Sequence, residues 1–522
     1  MEYATGAGLN TCKCCLPNTR RDLLKDIQNW ISSTEEGAPR VLWLSGTAGK
    51  GKSAVAHTIA NWYIENGGLG SCFCFDRTRQ ADRRQDKIFT TIARELADCN
   101  PIVRRALAQA VRDHDGLKRT LDITKQWQEL IIGPTSIASK AIAAPVLIVI
   151  DALDESGEAD SREQILRLLA GKLNSSTSQL VELPTNFRIL LISCPLEDIH
   201  NTLHAAPHVR HVSLDDVSSL STELDIQLYI SHKLEDLRHV LSDVHFKALA
   251  LKSDGLFEWA RLACEYIKGT NKVGVGPVGH YKAMIAGTSE KGTRLLDIMY
   301  ARILGEIMPE DERREAIPVF CSVMGQILAS LEPLPMPALT AMRLHFLEGT
   351  CDYEVGRVLG PLGSLLTGTS DSHTPIRPLH ASFYDFLTDK SRSHGFFIDA
   401  SSIHNDLAFA SLRVMEGGLR FNICSLESSY LPNSSVPELE KRVKDSISTE
   451  LSYSCRFWGT HVGSVSFELS LAKEVEAFFD EERLLWWLEA LALMKGLGGS
   501  VVTLSSVADW FSVRSSSLFF SQ

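Results

Sequence analysis

The stretch from Val41 to Ser53, VLWLSGTAGKGKS, constrains the fold of this 522-residue chain more than any other part of the sequence. Four apolar residues, VLWL, predict a buried strand, and an apolar pattern at helical spacing begins directly after the glycine-rich turn. Glycines in such a turn allow several backbone N–H groups and the N-terminus of the next helix to point at one phosphate chain. The turn matches G-x-x-x-x-G-K-[ST] at every fixed position and comprises Gly46, Thr47, Ala48, Gly49, Lys50, Gly51, Lys52 and Ser53.

The residue types at the end of this motif indicate a nucleotide site. Lys52 would reach the β- and γ-phosphates, and the Ser53 hydroxyl would ligate Mg²⁺. Ala54, in the first turn of the helix, completes the set of expected nucleotide contacts. A chance match would need two glycines, a lysine and a serine in register just where an apolar run stops. We therefore favour a phosphate-binding loop over a chance match.

A second stretch, PVLIVIDALDE from Pro145 to Glu155, supplies acidic residues. Its five apolar residues predict a buried strand with Asp151 at the carboxyl end, where a carboxylate can hold Mg²⁺ directly or through water. Asp154 and Glu155 follow within one turn and are candidate catalytic groups that orient or deprotonate an attacking water. The alternative, a strand that ends in an acidic surface turn, is common. The pairing with a phosphate loop about a hundred residues upstream favours the nucleotide site.

The remaining periodicity predicts the fold class. Strand patterns such as Ser71–Phe75 alternate with helical patterns, which indicates an α/β P-loop NTPase with a parallel sheet and helices on both faces. Ligand is then expected at the carboxyl ends of the strands. Mainly α-helical domains follow, one of them a winged helix. The expected divisions are an N-terminal segment with a lead-in helix at 1–40 (the first ten residues a loose end), the NTPase domain at 41–214, a helical domain at 215–301, the winged-helix-like domain at 302–400 and a C-terminal helical region at 401–522.

Composition excludes several classes of function. The formal net charge is −11, so general binding to nucleic acid or to an anionic membrane has no electrostatic support. The longest uncharged apolar run, Ala141–Ile150, is about half a membrane span, and we expect no membrane span and no signal peptide. Twelve cysteines without a paired framework predict reduced thiols and a cytoplasmic protein. No repeat array is evident, so we expect a bare core or a truncated receptor.

A histidine series offers an alternative site. His200, His204 and His208 have i, i+4, i+8 spacing, and His211 follows, which can indicate a metal cluster. Pro207 interrupts the helical pattern, and neither a carboxylate nor a thiol completes an obvious tetrahedron. We therefore favour a solvated helix-and-loop segment over a metal site.

These motifs together resemble a NACHT-type NTPase of the STAND class, and the fungal, nephrocystin-like branch (a type of NOD-like receptor) is the most similar. The likeness extends over most of the chain. Beyond the two phosphate-site motifs, the matching segments are CLPNTR at Cys15–Arg20, FRILLISCP at Phe187–Pro195, DGLFEWA at Asp254–Ala260, PLHASF at Pro378–Phe383 and DFL at Asp385–Leu387.

The resemblance implies a switch that binds ATP or ADP with Mg²⁺. ADP would be held between the α/β domain and the winged helix, and exchange for ATP would open the protein for self-association or for binding to protein partners. By position, His380 resembles the winged-helix histidine that contacts the ADP β-phosphate, although a core histidine is an equally open alternative. Thr19 and Arg20 resemble residues on the base side of the nucleotide.

One departure from the family pattern affects the expected chemistry. The motif at the end of the fourth strand ordinarily reads Ser-Arg-Pro, with the arginine sensing the γ-phosphate, whereas this chain has Ser193-Cys194-Pro195. A thiol cannot neutralise phosphate charge, and loss of such an arginine can cost several powers of ten in rate. The sequence therefore predicts nucleotide binding with weak hydrolysis at most. The alternative is a non-hydrolysing scaffold with nucleotide as a structural ligand.

Overall fold

A computed structural model describes the chain apart from residues 1, 2, 5, 36, 80–82, 119, 143, 172–182, 205, 270–275, 287–290, 311, 312, 347–353, 429, 480, 481 and 520–522. The chain forms two compact units, Met1–Met299 and Tyr300–Gln522. The five sequence divisions given above stay a prediction.

A five-stranded parallel sheet forms the centre of the first unit. Its strands are β1 Val41–Ser45, β2 Leu69–Cys74, β3 Val146–Asp151, β4 Phe187–Ser193 and β5 Val209–Ser213. Their spatial order is β2-β3-β4-β1-β5, with every neighbouring pair parallel. The predicted parallel α/β sheet is therefore confirmed. Since parallel strands end at one edge, the segments that follow β1, β3 and β4 meet there.

Helices precede, connect and follow these strands. In the first unit they are α1 Arg21–Ser32, α2 Lys52–Glu65, α3 Ile88–Cys99, α4 Pro101–Asp113, α5 Ile123–Gln126, α6 Gly133–Ser139, α7 Ala159–Leu169, α8 Glu197–Leu203, α9 Ser219–Lys233, α10 Asp243–Lys252, α11 Phe257–Lys268 and α12 Pro277–Ile285. A π-helical segment, Trp127–Ile132, lies between α5 and α6, and α13, Thr293–Ile307, includes the division between the units. Sequence explains individual boundaries: Asn100 accepts hydrogen bonds from two backbone N–H groups at the start of α4, and Pro101 occupies its first position.

Alternating residues of the strands enter two separate cores. Leu42 and Leu44 pack with α1 and α2 on one face of the sheet. Val41 and Trp43 pack on the other face with helices that include α3 and α7. Burial of both faces accounts for the near-continuous apolar strands of the sequence. It also fixes which strand side chains point towards α2.

Two segments differ from their predictions. Ala4 and Ala7 are buried: Ala4 N donates to Thr91 Oγ1 of α3 at 2.9 Å, and Ala7 O accepts a hydrogen bond of 2.7 Å from Cys74 N of β2, so these two residues are held against the first unit. The expectation of a loose end is wrong for them, because small side chains allow close packing against the edge strand.

The histidine segment also contains a strand. Val209–Ser213 forms β5, while His200 and His204 are exposed and stack at 4.8 Å between ring centroids. The ring of His211 stacks on Trp43 at 4.1 Å and lies 2.7 Å from Ser45 Oγ. The solvated helix-and-loop interpretation is therefore wrong for β5. VRHVS lacks a continuous apolar run because this edge strand is only half-buried.

The second unit is mainly helical. Its helices are α14 Arg313–Ala329, α15 Met336–Arg343, α16 Val355–Leu359, α17 Ala381–Thr388, α18 Lys390–Ser393, α19 Ala400–Gly418, α20 Leu439–Ser446, α21 Thr449–Gly463, α22 Leu469–Phe479, α23 Arg483–Leu493 and α24 Ser500–Phe519. Two short antiparallel strands, β6 Leu366–Thr367 and β7 Arg377–Pro378, form a ribbon. Trp458 and Trp487 lie in a core formed by α19, α21 and their neighbours. The winged helix stays a prediction. Among the described residues, no helix is long and apolar enough to span a membrane.

Candidate functional site

The glycine-rich loop connects β1 directly to α2. Gly49 and Gly51 have φ angles of +85° and +86°, which L-residues with a side chain rarely adopt. A Cβ on Gly46 would lie 2.9 Å from Leu214 Cβ, and a Cβ on Gly49 would lie 3.3 Å from Glu258 Cβ. The tight backbone path thus requires glycine on conformational and steric grounds. This path leads the loop directly into the N-terminus of α2, which begins at Lys52.

The Lys52 ammonium folds back over the loop. Lys52 Nζ donates to Gly46 O at 2.7 Å and to Thr47 O at 3.1 Å, and it lies 3.3 Å from Cys194 Sγ. A phosphate oxygen carries more negative charge than any of these three acceptors and would compete for the same N–H donors. Lys52 is therefore in position to exchange loop contacts for contacts with an anion at the carboxyl end of β1.

Asp215 supports the loop, and the sequence analysis did not identify it. Its carboxylate accepts hydrogen bonds from both the backbone N and the hydroxyl of Thr47, each at 3.0 Å, and it lies 3.8 Å from Lys50 Nζ. The only sequence signal was its place two residues after β5, because β5 itself was not recognised. Asp215 holds Thr47 N–H, one of the loop donors, in the present conformation.

Arg20 contacts the loop from the segment before α1. Its guanidinium donates to Lys50 O at 3.1 Å and to Thr222 Oγ1 at 3.2 Å, and it lies 5.0 Å from the centre of the Phe257 ring. Burial lowers the pKa of the Arg20 guanidinium. Thr19 is also buried, and its hydroxyl donates to Leu16 O at 2.7 Å. Arg20 therefore lies against the loop, whereas the Thr19 proton is engaged locally.

Asp151 ends β3, as the sequence predicted, and its carboxylate is buried. Oδ1 accepts a hydrogen bond of 2.9 Å from Ala152 N, and Oδ2 lies 4.0 Å from His57 Nε2. Ala152 has a φ of +56°, so the chain turns sharply immediately after the carboxylate. Asp154 and Glu155 lie in the 3₁₀ turn Leu153–Glu155 that follows, and they contact different neighbours.

Asp154 faces the phosphate loop side of the site. Its Oδ1 accepts a hydrogen bond of 2.9 Å from Cys194 N. Burial, followed by the charge of Asp154, raises the pKa of the Cys194 thiol to about 12. Cys194 is therefore a neutral thiol near neutral pH, placed between the Asp154 carboxylate and the Lys52 ammonium.

Glu155 faces the segment after β2 instead. Its Oε2 accepts a hydrogen bond of 3.1 Å from Arg77 N, and the residue lines a cavity of about 330 Å³ together with Asp76, Gln85 and Gly157. Burial raises the pKa of Glu155 to about 8, and the neighbouring Asp154 and Asp76 charges act in the same direction. A carboxylic acid with a pKa in this range can take up or release a proton near neutral pH.

The raised pKa of Glu155 predicts a pH dependence of stability. The pKa of Glu155 in the folded state lies above its value in the unfolded state. The contribution of Glu155 to the free energy of unfolding is therefore fully present below about pH 4.5 and is lost as the pH rises through about 8. Glu155→Gln should remove this slope, which is at most about 1.4 kcal/mol per pH unit. Urea unfolding at several pH values from 5 to 8 measures it. Exposed Glu158→Gln is the matched control, and a Glu155→Gln profile parallel to that of wild type would contradict the assignment.

His380 belongs to the second unit. It precedes α17, where Nδ1 accepts a hydrogen bond of 3.1 Å from Ser382 N and lies 2.7 Å from Ser382 Oγ. The ring therefore caps a helix within that unit. Its contact with a nucleotide stays a prediction.

The residues at this edge of the sheet fit a phosphate chain with Mg²⁺. Ser53 and Asp151 offer hydroxyl and carboxylate oxygens, the ligands that Mg²⁺ prefers. Lys52 offers a cation whose present acceptors, two carbonyl oxygens and a thiol, are exchangeable. The loop supplies backbone N–H groups at the start of α2. Together with the parallel sheet, this arrangement defines an α/β domain of the P-loop type.

One known protein family matches the part of the chain that contains the phosphate loop. Residues 18–193 match the sequence model of the nephrocystin 3 N-terminal family, which is 176 of the 522 residues. The chain matches no curated protein sequence. The match to the nephrocystin 3 N-terminal family includes the phosphate loop, β3 and β4.

Two solved archaeal structures are similar at 12% identity. The Walker-type ATPase of Pyrococcus abyssi has a TM-score of 0.32, with 70% of this chain and 93% of that chain covered. A Signal Transduction ATPase with Numerous Domains (STAND) from Pyrococcus horikoshii, which has a tetratricopeptide repeat sensor, has a TM-score of 0.38, with 99% and 67% covered.

Proposed function

We propose that this protein is a signalling switch of the NACHT (STAND) class that binds ADP or ATP with Mg²⁺. Exchange of ADP for ATP would open the chain and allow self-association or partner binding, with weak ATP hydrolysis at most. The observation that carries the proposal is the loop at the carboxyl end of β1, with Lys52 Nζ held over it by Gly46 O and Thr47 O.

Each residue of the site has a role in this proposal. Lys52 and the loop N–H groups bind the phosphate chain, and Ser53 and Asp151 hold Mg²⁺, which neutralises phosphate charge when it is bound. Asp154, bonded to Cys194 N, and Glu155, with its raised pKa, are the candidates for orienting water. Release of Thr47 from Asp215 would free a further N–H donor.

The residues that contact the base of the nucleotide, and the winged-helix residue that contacts its β-phosphate, are assigned by the resemblance alone. Arg20 and Thr19 would line the base side, and the contact between Arg20 and Lys50 O supports a place next to the loop for Arg20. His380 would contact the β-phosphate of ADP from the winged helix, exchanging its present capping contact with Ser382.

A second candidate function, a non-hydrolysing scaffold, rests on Cys194. The neutral thiol lies 3.3 Å from Lys52 Nζ at the position where the family pattern has an arginine. Cysteine supplies no positive charge at this position that would stabilise the negative charge of a γ-phosphate. Nucleotide would then stabilise one conformation without turnover.

The switch itself is tested by the response of the full chain to each nucleotide. We expect Mg²⁺–ATP to increase the mass measured by light scattering and to expose new proteolytic sites, while Mg²⁺–ADP leaves the chain monomeric and protected. A ligand shifts such an equilibrium only through its different affinities for the two states. Lys52→Ala should show neither response.

Two outcomes separate the parts of the proposal. If ADP and ATP both bind but give the same mass and cleavage pattern, the switch is rejected and the nucleotide site stands. If neither nucleotide binds, both are rejected.

A further inference from the structure

Three side chains capable of binding a metal meet inside the first unit. His57 lies on α2, and Cys72 and Cys74 lie on β2 with their side chains on the face that packs against α2. One ligand atom from each of the three lies within 4.8 Å of the other two, and all three residues are at least 92% buried. The nucleotide site described above uses none of them.

A carboxylate stands beside this cluster. Cys74 and Asp151 are register partners on neighbouring parallel strands, which places their side chains on the same face of the sheet. Asp151 Oδ2 lies 4.0 Å from His57 Nε2, the same distance that separates His57 Nε2 from Cys74 Sγ. The imidazole nitrogen is therefore flanked by a thiol and a carboxylate oxygen.

The spacing is close to that of a tetrahedral site. With zinc–sulfur bonds of about 2.3 Å and zinc–nitrogen bonds of about 2.0–2.1 Å, ligand atoms in a tetrahedron are about 3.5–3.8 Å apart. The observed 4.0 Å between His57 Nε2 and Cys74 Sγ exceeds this by about half an ångström. All three ligand atoms lie within 4.8 Å of one another, so each pair would have to close by at most about 1.3 Å, a distance that side-chain rotations can cover.

We propose that His57 Nε2, Cys72 Sγ and Cys74 Sγ bind a divalent metal ion of the zinc class, with Asp151 Oδ2 facing the fourth position. Two thiolates and an imidazole favour zinc over the hard cations Mg²⁺ and Ca²⁺, which prefer oxygen. The site is thus distinct in chemistry from the Mg²⁺ site of Ser53 and Asp151, although both involve the same carboxylate.

Metal binding would replace two contacts that His57 and Cys74 now make with the N-terminal segment. His57 Nδ1 now accepts a long hydrogen bond of 3.3 Å from Asn10 N, and Cys74 Sγ lies 3.9 Å from Gly8 O. Coordination through Nε2 requires the ring proton to sit on Nδ1, so the N–H of Asn10 must turn away. The two thiol protons leave to solvent. Metal binding therefore changes the position of residues 8–10, which cover the cluster.

Metal analysis of the full chain tests the proposal. Because the site is buried, the protein is expressed in zinc-supplemented medium and washed with chelator before its zinc content is measured. We expect one zinc ion per chain in wild type, and a loss in Cys72→Ser, Cys74→Ser and His57→Gln, each of which should weaken binding by at least about 100-fold. Cobalt in place of zinc should give the absorption of a cobalt–thiolate bond. Cys264→Ser, at a buried cysteine of α11, is the matched control and should keep the metal.

The result that overturns the proposal is wild-type protein that holds neither zinc nor cobalt, a measurement that does not depend on any variant folding. Zinc retained by both folded cysteine variants would also overturn it. Lys52→Ala is expected to keep the zinc, so failure of the nucleotide site and failure of the metal site are distinguishable.

Discussion

Lys52→Ala is expected to weaken the binding of Mg²⁺–ADP by at least about a hundredfold, because hydrogen bonds between charged groups contribute about 1.5–3 kcal/mol each and about 1.4 kcal/mol is tenfold in affinity. Lys52 Nζ already points along the loop, with Gly46 O, Thr47 O and Cys194 Sγ as acceptors. Alanine removes the ammonium group, and with it every N–H donor to these acceptors, without disturbing the glycine conformations. Calorimetric titration of the full chain measures the change.

Lys25→Ala is the matched control for this variant, since Lys25 is exposed on α1 in the same unit. It should bind ADP as wild type does. Equal affinities of the Lys52→Ala variant and wild type, with both proteins folded by circular dichroism, would contradict the role of the loop.

Cys194→Arg is expected to raise the rate of ATP hydrolysis by at least about tenfold, because an arginine on the transferring phosphate contributes about 10³–10⁵ in other nucleotide hydrolases. The Asp154 carboxylate, which accepts from Cys194 N, stands near enough to offset repulsion between the new guanidinium and Lys52. Steady-state phosphate release under saturating ATP measures the effect as kcat.

Cys194→Ser separates charge from the loss of the thiol. Serine is close in size to cysteine and carries no charge, so its kcat should equal that of wild type. If Cys194→Arg binds ADP normally and turns over ATP no faster than Cys194→Ser, the missing arginine does not limit hydrolysis in this chain.

The sequence could predict the parts of the fold that are local. β1, the glycine loop and α2 are contiguous, and their strand, turn and helix patterns follow each other within Val41–Glu65. The same holds for β3 with Asp151 at its end and for the FRILLIS run that forms β4. In each case, apolar residues buried on both faces of a sheet leave a continuous pattern.

The parts that escaped prediction depend on contacts between distant segments. Asp215 reaches Thr47 from 168 positions away. β5 was missed because a half-buried edge strand tolerates Arg210 and His211. The side chains of His57, Cys72 and Cys74 come together only because the pleat of β2 points two alternate residues at α2.

The acidic turn shows a further limit of sequence patterns. Asp154 and Glu155 are adjacent, and the motif assigns both to the attacking water. The structure separates them, with Asp154 bonded to Cys194 N and Glu155 bonded to Arg77 N. The two residues are consecutive in the 3₁₀ turn Leu153–Glu155, where neighbouring side chains point in different directions.

The most direct test of the nucleotide site is a calorimetric titration of Mg²⁺–ADP into wild-type full chain from which any bound nucleotide has been removed. We expect saturable binding at one site per chain. No binding at millimolar ADP by a folded protein would contradict the account, because a loop of this geometry with Lys52 over it would then have another purpose.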